Sequence, residues 1–233
     1  MELSANESEL ELIQSTLRDA NPDSILQIGT GSFQHSKCII ETVKDLPSTR
    51  LTVLFNETDS QVLEQLKADD LDQWADFIQL PADQVLPDFY FQEHSFDLAI
   101  INPSYGTHET RVSLYYISKM LNKGSKLIVN ELPVDGLREL CRYVLDTREY
   151  EVSATSENAR PMPELERLVR KGYQSLPQWV KEKTDTLINP TLLETDAMLG
   201  LFGNTIVFTK LSAVAKASEP EEMDADALIE AMM

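Results

Sequence analysis

Apolar residues along this chain fall into short runs separated by segments of helical period. Leu10, Ile13 and Leu17 recur at helical spacing behind an acidic first turn, which predicts a helix over 4–19 ended by Asn21-Pro22-Asp23. Ser24-Ile25-Leu26-Gln27-Ile28 reads as a short strand that runs straight into Gly29-Thr30-Gly31, with a helix predicted over 34–44. Further strands are predicted at 51–55, 77–80, 96–101, 126–129, 150–154 and 205–208. Further helices are predicted at 59–67, 107–121 and 134–146, with Asn122-Lys123-Gly124 as a helix stop. Residues 161–198 are polar, punctuated by proline and mostly helical in pattern.

Strands alternating with helices imply a parallel sheet covered on both faces. The near-continuous apolar runs of the first and fourth strands agree with burial on both sides. The expected fold class is therefore α/β: a doubly wound, mostly parallel sheet of about seven strands with helices on both faces. The expected organisation is an N-terminal helix (1–22), an α/β domain (23–211) with a helical insertion or lid at 161–198, and a tail (212–233). From Val214 onward the tail carries one lysine against six acids, and it reads as a flexible acidic linker with a short helix. That helix is a candidate for docking on a protein partner.

Composition narrows the picture. The chain has 233 residues, enough for one domain with a sizeable core. No apolar run reaches the roughly 18 residues that span a membrane, and the acidic start does not read as a signal peptide. Cys38 and Cys141 each sit in an apolar stretch, as buried thiols of a reducing cytoplasm would. No Cys/His cluster has zinc spacing, so no metal is expected. The formal net charge of −19 repels phosphate backbones and argues against nucleic acid as a partner. The densest basic segment, 160–183, is interleaved with glutamates and reads as a solvated helix face.

Candidate chemistry begins at the first loop. A strand ending in Gly-x-Gly before a helix lets backbone approach a ligand and aims helix N–H groups at it. In doubly wound sheets ligands bind outside the carboxyl ends of the strands. Glu57 stands at the end of the second strand, where a carboxylate accepts hydrogen bonds from ribose hydroxyls; the alternative is a cap on the helix beginning near Asp59. No phosphate-binding Gly-Lys-Ser/Thr loop and no Gly-x-Ser-x-Gly elbow occurs.

Over about residues 24–131 the chain resembles the class I, Rossmann-like S-adenosylmethionine-dependent methyltransferases. Ile25-Leu26-Gln27-Ile28-Gly29-Thr30-Gly31 is similar to the family's first motif, Glu57-Thr58-Asp59 to its acidic ribose motif, and Ala82-Asp83 to its adenine-binding position. Phe96-Asp97-Leu98-Ala99-Ile100-Ile101-Asn102 resembles the fourth motif, and Leu121-Asn122-Lys123-Gly124-Ser125 the loop that follows. The resemblance implies S-adenosylmethionine as cofactor, held by Gln27, Gly29, Gly31, Glu57, Asp83 and Asn102. Two positions depart from the family: Gln27 stands where it usually has an acid, and Phe33 where it usually has a third glycine. Asn102-Pro103-Ser104-Tyr105 is similar to the Asn-Pro-Pro-Tyr signature of methyltransferases acting on nitrogen, with Ser104 for the second proline. That implies catalytic roles for Asn102, orienting a target nitrogen, and Tyr105, stacking on a planar substrate; an ordinary Asn-Pro turn is the alternative. The expected activity is methyl transfer, N-directed, to a small molecule or a protein. Two alternatives stand beside it. One is a degenerate methyltransferase fold serving as a binding or adaptor subunit. The other is an rRNA methyltransferase, from a faint likeness of Ser32-Phe33-Gln34-His35-Ser36 to a loop of rRNA uridine methyltransferases.

Overall fold

A computed structural model describes residues 7–102, 107–130, 137–156, 199–201 and 203–212. In chain order the elements are α1 (Glu7–Ala20), β1 (Ser24–Ile28), α2 (Phe33–Lys44), β2 (Arg50–Phe55), α3 (Ser60–Ala68), β3 (Asp76–Gln79) and α4 (Ala82–Phe91). They continue with β4 (Phe96–Ile101), α5 (Thr107–Met120), β5 (Leu121–Val129), α6 (Leu137–Asp146), β6 (Tyr150–Thr155) and β7 (Ile206–Lys210). The strands form one seven-stranded sheet in the order β3-β2-β1-β4-β5-β7-β6. All neighbouring pairs are parallel except those of β7, which runs antiparallel to both β5 and β6.

The period-2 pattern of the strands splits their side chains between two cores. Ile25, Val53, Leu98, Ile100, Ile128 and Val207 pack with Ile13 and Leu17 of α1 and Ile39 and Val43 of α2. Leu26, Ile28, Leu54, Ala99, Ile101, Leu127 and Phe208 face the other way, toward Leu86 of α4, Ile117 of α5 and Leu140 of α6. The helix predicted at the N-terminus is thus part of the core, and both predicted thiols, Cys38 and Cys141, are buried. Among the described residues no helix is long and apolar enough to cross a membrane.

Two elements depart from the pattern-based reading. Helix α4 was not anticipated, because Pro81 at its N-cap and Pro87 in its interior mask the helical signal. Asn122-Lys123-Gly124 is not a helix stop outside the sheet: α5 ends at Met120 and these residues lie within the longer β5. Gly124 has φ +88, and the register to β4 shifts between Phe96 and Leu98, so a bulge absorbs the turn. Buried Lys210 closes the other side of that junction. Its ammonium donates to the carbonyls of Ser118 and Leu121, orphaned at the end of α5, and stands 5.6 Å from the centre of the Tyr150 ring. The predicted lid at 161–198 and the tail beyond residue 212 lie outside the described residues.

Candidate functional site

The sheet order reverses between β1 and β4, which is where a doubly wound sheet opens a crevice at its carboxyl edge. The ladder continues one residue past each central strand. Gly29 N–H donates to the Leu54 carbonyl (2.8 Å), Asn102 N–H to that of Ile28 (2.8 Å), and Asn130 N–H to that of Ile101 (2.9 Å). Gly29, Asn102 and Asn130 therefore lie side by side along this edge.

The loop after β1 is wired from below. Gln27 is 1% exposed, and its Nε2 donates to the carbonyls of Gly29 (2.9 Å) and Thr30 (3.4 Å) and to Ser36 Oγ (3.3 Å). Ser36 Oγ in turn donates to the Thr30 carbonyl at 2.6 Å. Gln27 Oε1 is buried and has no hydrogen-bond donor among the described residues. Gly29 and Gly31 both take positive φ, +72 and +62, which side-chain-bearing residues rarely adopt. At Gly31 space is also short: a Cβ there would lie 3.0 Å from Asn102 Cγ.

Asn102 is fully buried. Its Nδ2 donates to the Gly29 carbonyl (3.0 Å), and its Oδ1 accepts from Asn130 Nδ2 (2.6 Å). The side chain is thus a strut between the glycine loop and the end of β5. The Oδ1 atom has two lone pairs, and the Asn130 amide uses one of them. Asn130 passed unnoticed in the sequence, although its place one residue beyond β5 matches that of Asn102 beyond β4. Pro103, Ser104 and Tyr105 lie outside the described residues.

Ser32 caps α2, its Oγ accepting from the His35 N–H (3.3 Å). His35 Nδ1 lies 3.1 Å from the same Oγ, and Nε2 lies 3.6 Å from Glu9 Oε2. The other oxygen of buried Glu9 accepts from Asn204 Nδ2 at 2.7 Å, just ahead of β7. Helix α1 thereby braces the first turn of α2, a role that nothing in the local pattern announces. Phe33 is partly buried and packs against the α1/α2 core, with the Lys37 ammonium 5.5 Å from its ring centre.

At the end of β2, the cap is built by Asn56 and Asp59 as a capping box around a 3-10 turn, Glu57–Asp59. The Glu57 side chain takes no part in it and is exposed. The capping alternative raised for Glu57 is thus fulfilled by its neighbours. Asp83 is exposed in the first turn of α4. Two exposed carboxylates therefore stand beyond the carboxyl ends of β2 and β3, on the side of the crevice formed by the first half of the sheet.

No protein-family model matches the chain, and no curated protein matches it either. Solved structures do. A Klebsiella pneumoniae protein assigned as an O-methyltransferase is 15% identical with a TM-score of 0.57, over 90% of this chain and 82% of that one. The O-methyltransferase TomG from Streptomyces achromogenes, involved in tomaymycin synthesis and solved with S-adenosylmethionine, is 12% identical with a TM-score of 0.52, over 90% and 82%. An O-methyltransferase from Bacillus cereus, solved with S-adenosylhomocysteine, is 14% identical with a TM-score of 0.52, over 66% and 77%. At these identities the likeness is one of fold, and the fold is that of the class I S-adenosylmethionine-dependent methyltransferases.

Proposed function

We propose that this methyltransferase fold is an enzyme that transfers a methyl group from S-adenosylmethionine to a small-molecule acceptor above the carboxyl edge of the sheet. The observation that carries the reading is Gln27 Oε1, a buried acceptor with no donor among the described residues, on a side chain whose Nε2 holds the carbonyls of a loop with two left-handed glycines. A buried polar atom without a partner is costly unless a ligand or water completes it. The ammonium of the cofactor's methionine arm is a donor of the right kind. When bound, the cofactor supplies a methyl group on a positively charged sulfur.

The chain's own residues bind and orient. Gly29 and Gly31 keep the loop low enough for backbone to approach the cofactor, and the first turn of α2 presents N–H groups to it. Glu57 accepts the ribose hydroxyls, and Asp83 receives the adenine amino group. Gln27 provides an acceptor without charge, and charge-assisted bonds are the stronger ones, so it holds the ammonium less tightly than a carboxylate would. Asn102 acts as a positioning residue, holding Gly29 while Asn130 holds it. Tyr105 is the candidate wall for a planar acceptor. The transfer needs proximity and an aligned lone pair, and the proton that a hydroxyl acceptor gives up passes to water.

One consideration favours a hydroxyl over a nitrogen acceptor: the solved proteins named above are O-methyltransferases. The test is thermal unfolding with and without S-adenosylmethionine and S-adenosylhomocysteine. A ligand at 100 times its Kd stabilises the native state by about 2.7 kcal/mol. For a domain of this size that raises Tm by roughly 5–11 °C. A shift that disappears in Glu57→Ala supports the assignment. No shift at millimolar ligand overturns it and leaves the fold as a scaffold for binding without turnover.

A further inference from the structure

A concavity whose lining includes no residue of the glycine loop lies in the groove between α5 and α6 over β5. It encloses about 520 Å³. Leu114, Leu127, Leu140 and Val144 form its apolar bed, and Tyr115 and Tyr143 stand on its walls 60% and 65% exposed. Among the described lining residues, the cations Arg111 and Lys119 belong to α5, and the acid Glu149 sits at the lower end just before β6. Large exposed aromatics over an apolar bed are the mark of a surface that takes a partner.

The course of the chain indicates which partner. Strand β7 runs antiparallel to β5 and delivers the polypeptide to this lower end, where Leu211 N–H donates to the carbonyl of Glu149 (2.7 Å). The next residues of the chain thus start at the mouth of the groove. Strand β6, by contrast, ends at Thr155, level with Val129 at the carboxyl edge and away from Glu149. From Ala213 the sequence is a polar, Ala-rich connector followed by Asp224-Ala-Asp-Ala-Leu-Ile-Glu-Ala-Met-Met233. In that segment Ala225, Leu228, Ile229 and Met232 share one helical stripe, and Asp224 and Asp226 flank it. Its apolar side matches the bed, and its acids match Arg111 and Lys119. Reach is ample. From Arg111 to Lys119 is about 12 Å along a helix, whereas the connector spans up to about 35 Å when extended.

We propose that residues 224–233 dock in cis into the α5–α6 groove as an amphipathic segment. The proposal is independent of the methyltransferase reading, since groove and crevice share no residue. Hydrogen exchange by mass spectrometry on the full chain tests it, against a full-length Leu228→Asp/Ile229→Asp variant at low and high protein concentration. The expected result is exchange about tenfold faster in the variant for amides in the last turns of α5 and α6, with β1–β3 unchanged and no dependence on concentration. A reciprocal set guards against simple misfolding: Arg111→Glu/Lys119→Glu loosens the tail, and adding Asp224→Lys/Asp226→Lys restores its protection. Unchanged exchange, a change spread equally through β1–β3, protection that fades on dilution (docking into a second copy), or failure of the charge reversal to rescue each overturns the proposal.

Discussion

Alanine at Gly31 perturbs the glycine loop in two separable ways. The residue sits at φ +62, and a left-handed conformation costs a side-chain-bearing residue about 1–2 kcal/mol. The added Cβ also lies 3.0 Å from Asn102 Cγ and 3.2 Å from its Cβ and Oδ1. Asn102 has nowhere to go: it is fully buried and held by bonds to Gly29 and Asn130. Moving it weakens two buried hydrogen bonds, for a further cost of about 1–3 kcal/mol. The sum is about 2–5 kcal/mol, a drop in Tm of roughly 4–20 °C. Gly124 supplies the control. Its φ is +88 and a Cβ there meets nothing within 4 Å, so Gly124→Ala bears the backbone cost alone. The assay is thermal unfolding of both variants, each with and without S-adenosylhomocysteine. Gly31→Ala is expected to unfold several degrees below Gly124→Ala and to lose the ligand-induced shift, while Gly124→Ala keeps it. Equal melting points would refute the wedge between loop and strut; an intact ligand shift in Gly31→Ala would refute the loop's place in the cofactor site.

Further outcomes follow from other contacts. Gln27→Glu restores the acid usual in the family, yet it sets a carboxylate against the Gly29 and Thr30 carbonyls that Nε2 now serves; denaturant titration should show a loss of about 2–4 kcal/mol at neutral pH. Lys210→Met leaves the Ser118 and Leu121 carbonyls without their donor and should cost about 2–4 kcal/mol in the same assay, with the ligand shift intact. Burial pushes the Cys38 thiol up from 9.0 to about 11 and the Tyr150 phenol up from 10.0 to about 12. Each group stays neutral in the fold after its unfolded counterpart has ionised. Its contribution is therefore complete below the unfolded value and disappears as pH rises through the folded one. Urea midpoints should fall between pH 9 and 12, and less steeply in Cys38→Ala and Tyr150→Phe; identical slopes would contradict the burial argument.

Much of the fold was legible in the chain itself. Near-continuous apolar runs in β1 and β4, helical spacing in α1 and the alternation of strand and helix depend on local geometry, and local geometry is written in consecutive residues. The same holds for the Gly29–Gly31 loop, whose conformation only glycine adopts without strain. Helix α4 escaped because two prolines oppose local propensity while packing of Val85 and Leu86 sustains the helix.

The roles of single polar side chains were beyond the sequence. Glu57 is released from capping because Asn56 and Asp59 cap instead, and Asn102 is bound into a strut because Asn130, 28 residues on, reaches it from the next strand. Glu9 is likewise drawn to His35 and Asn204 from the far end of the chain. Residue type and spacing thus determined the sheet, its two cores and the glycine loop on its carboxyl edge. The tertiary structure decided which polar atoms there are consumed within the fold and which, like Gln27 Oε1, have no donor among the described residues. A hydrogen bond depends on a partner that only packing brings within 3 Å.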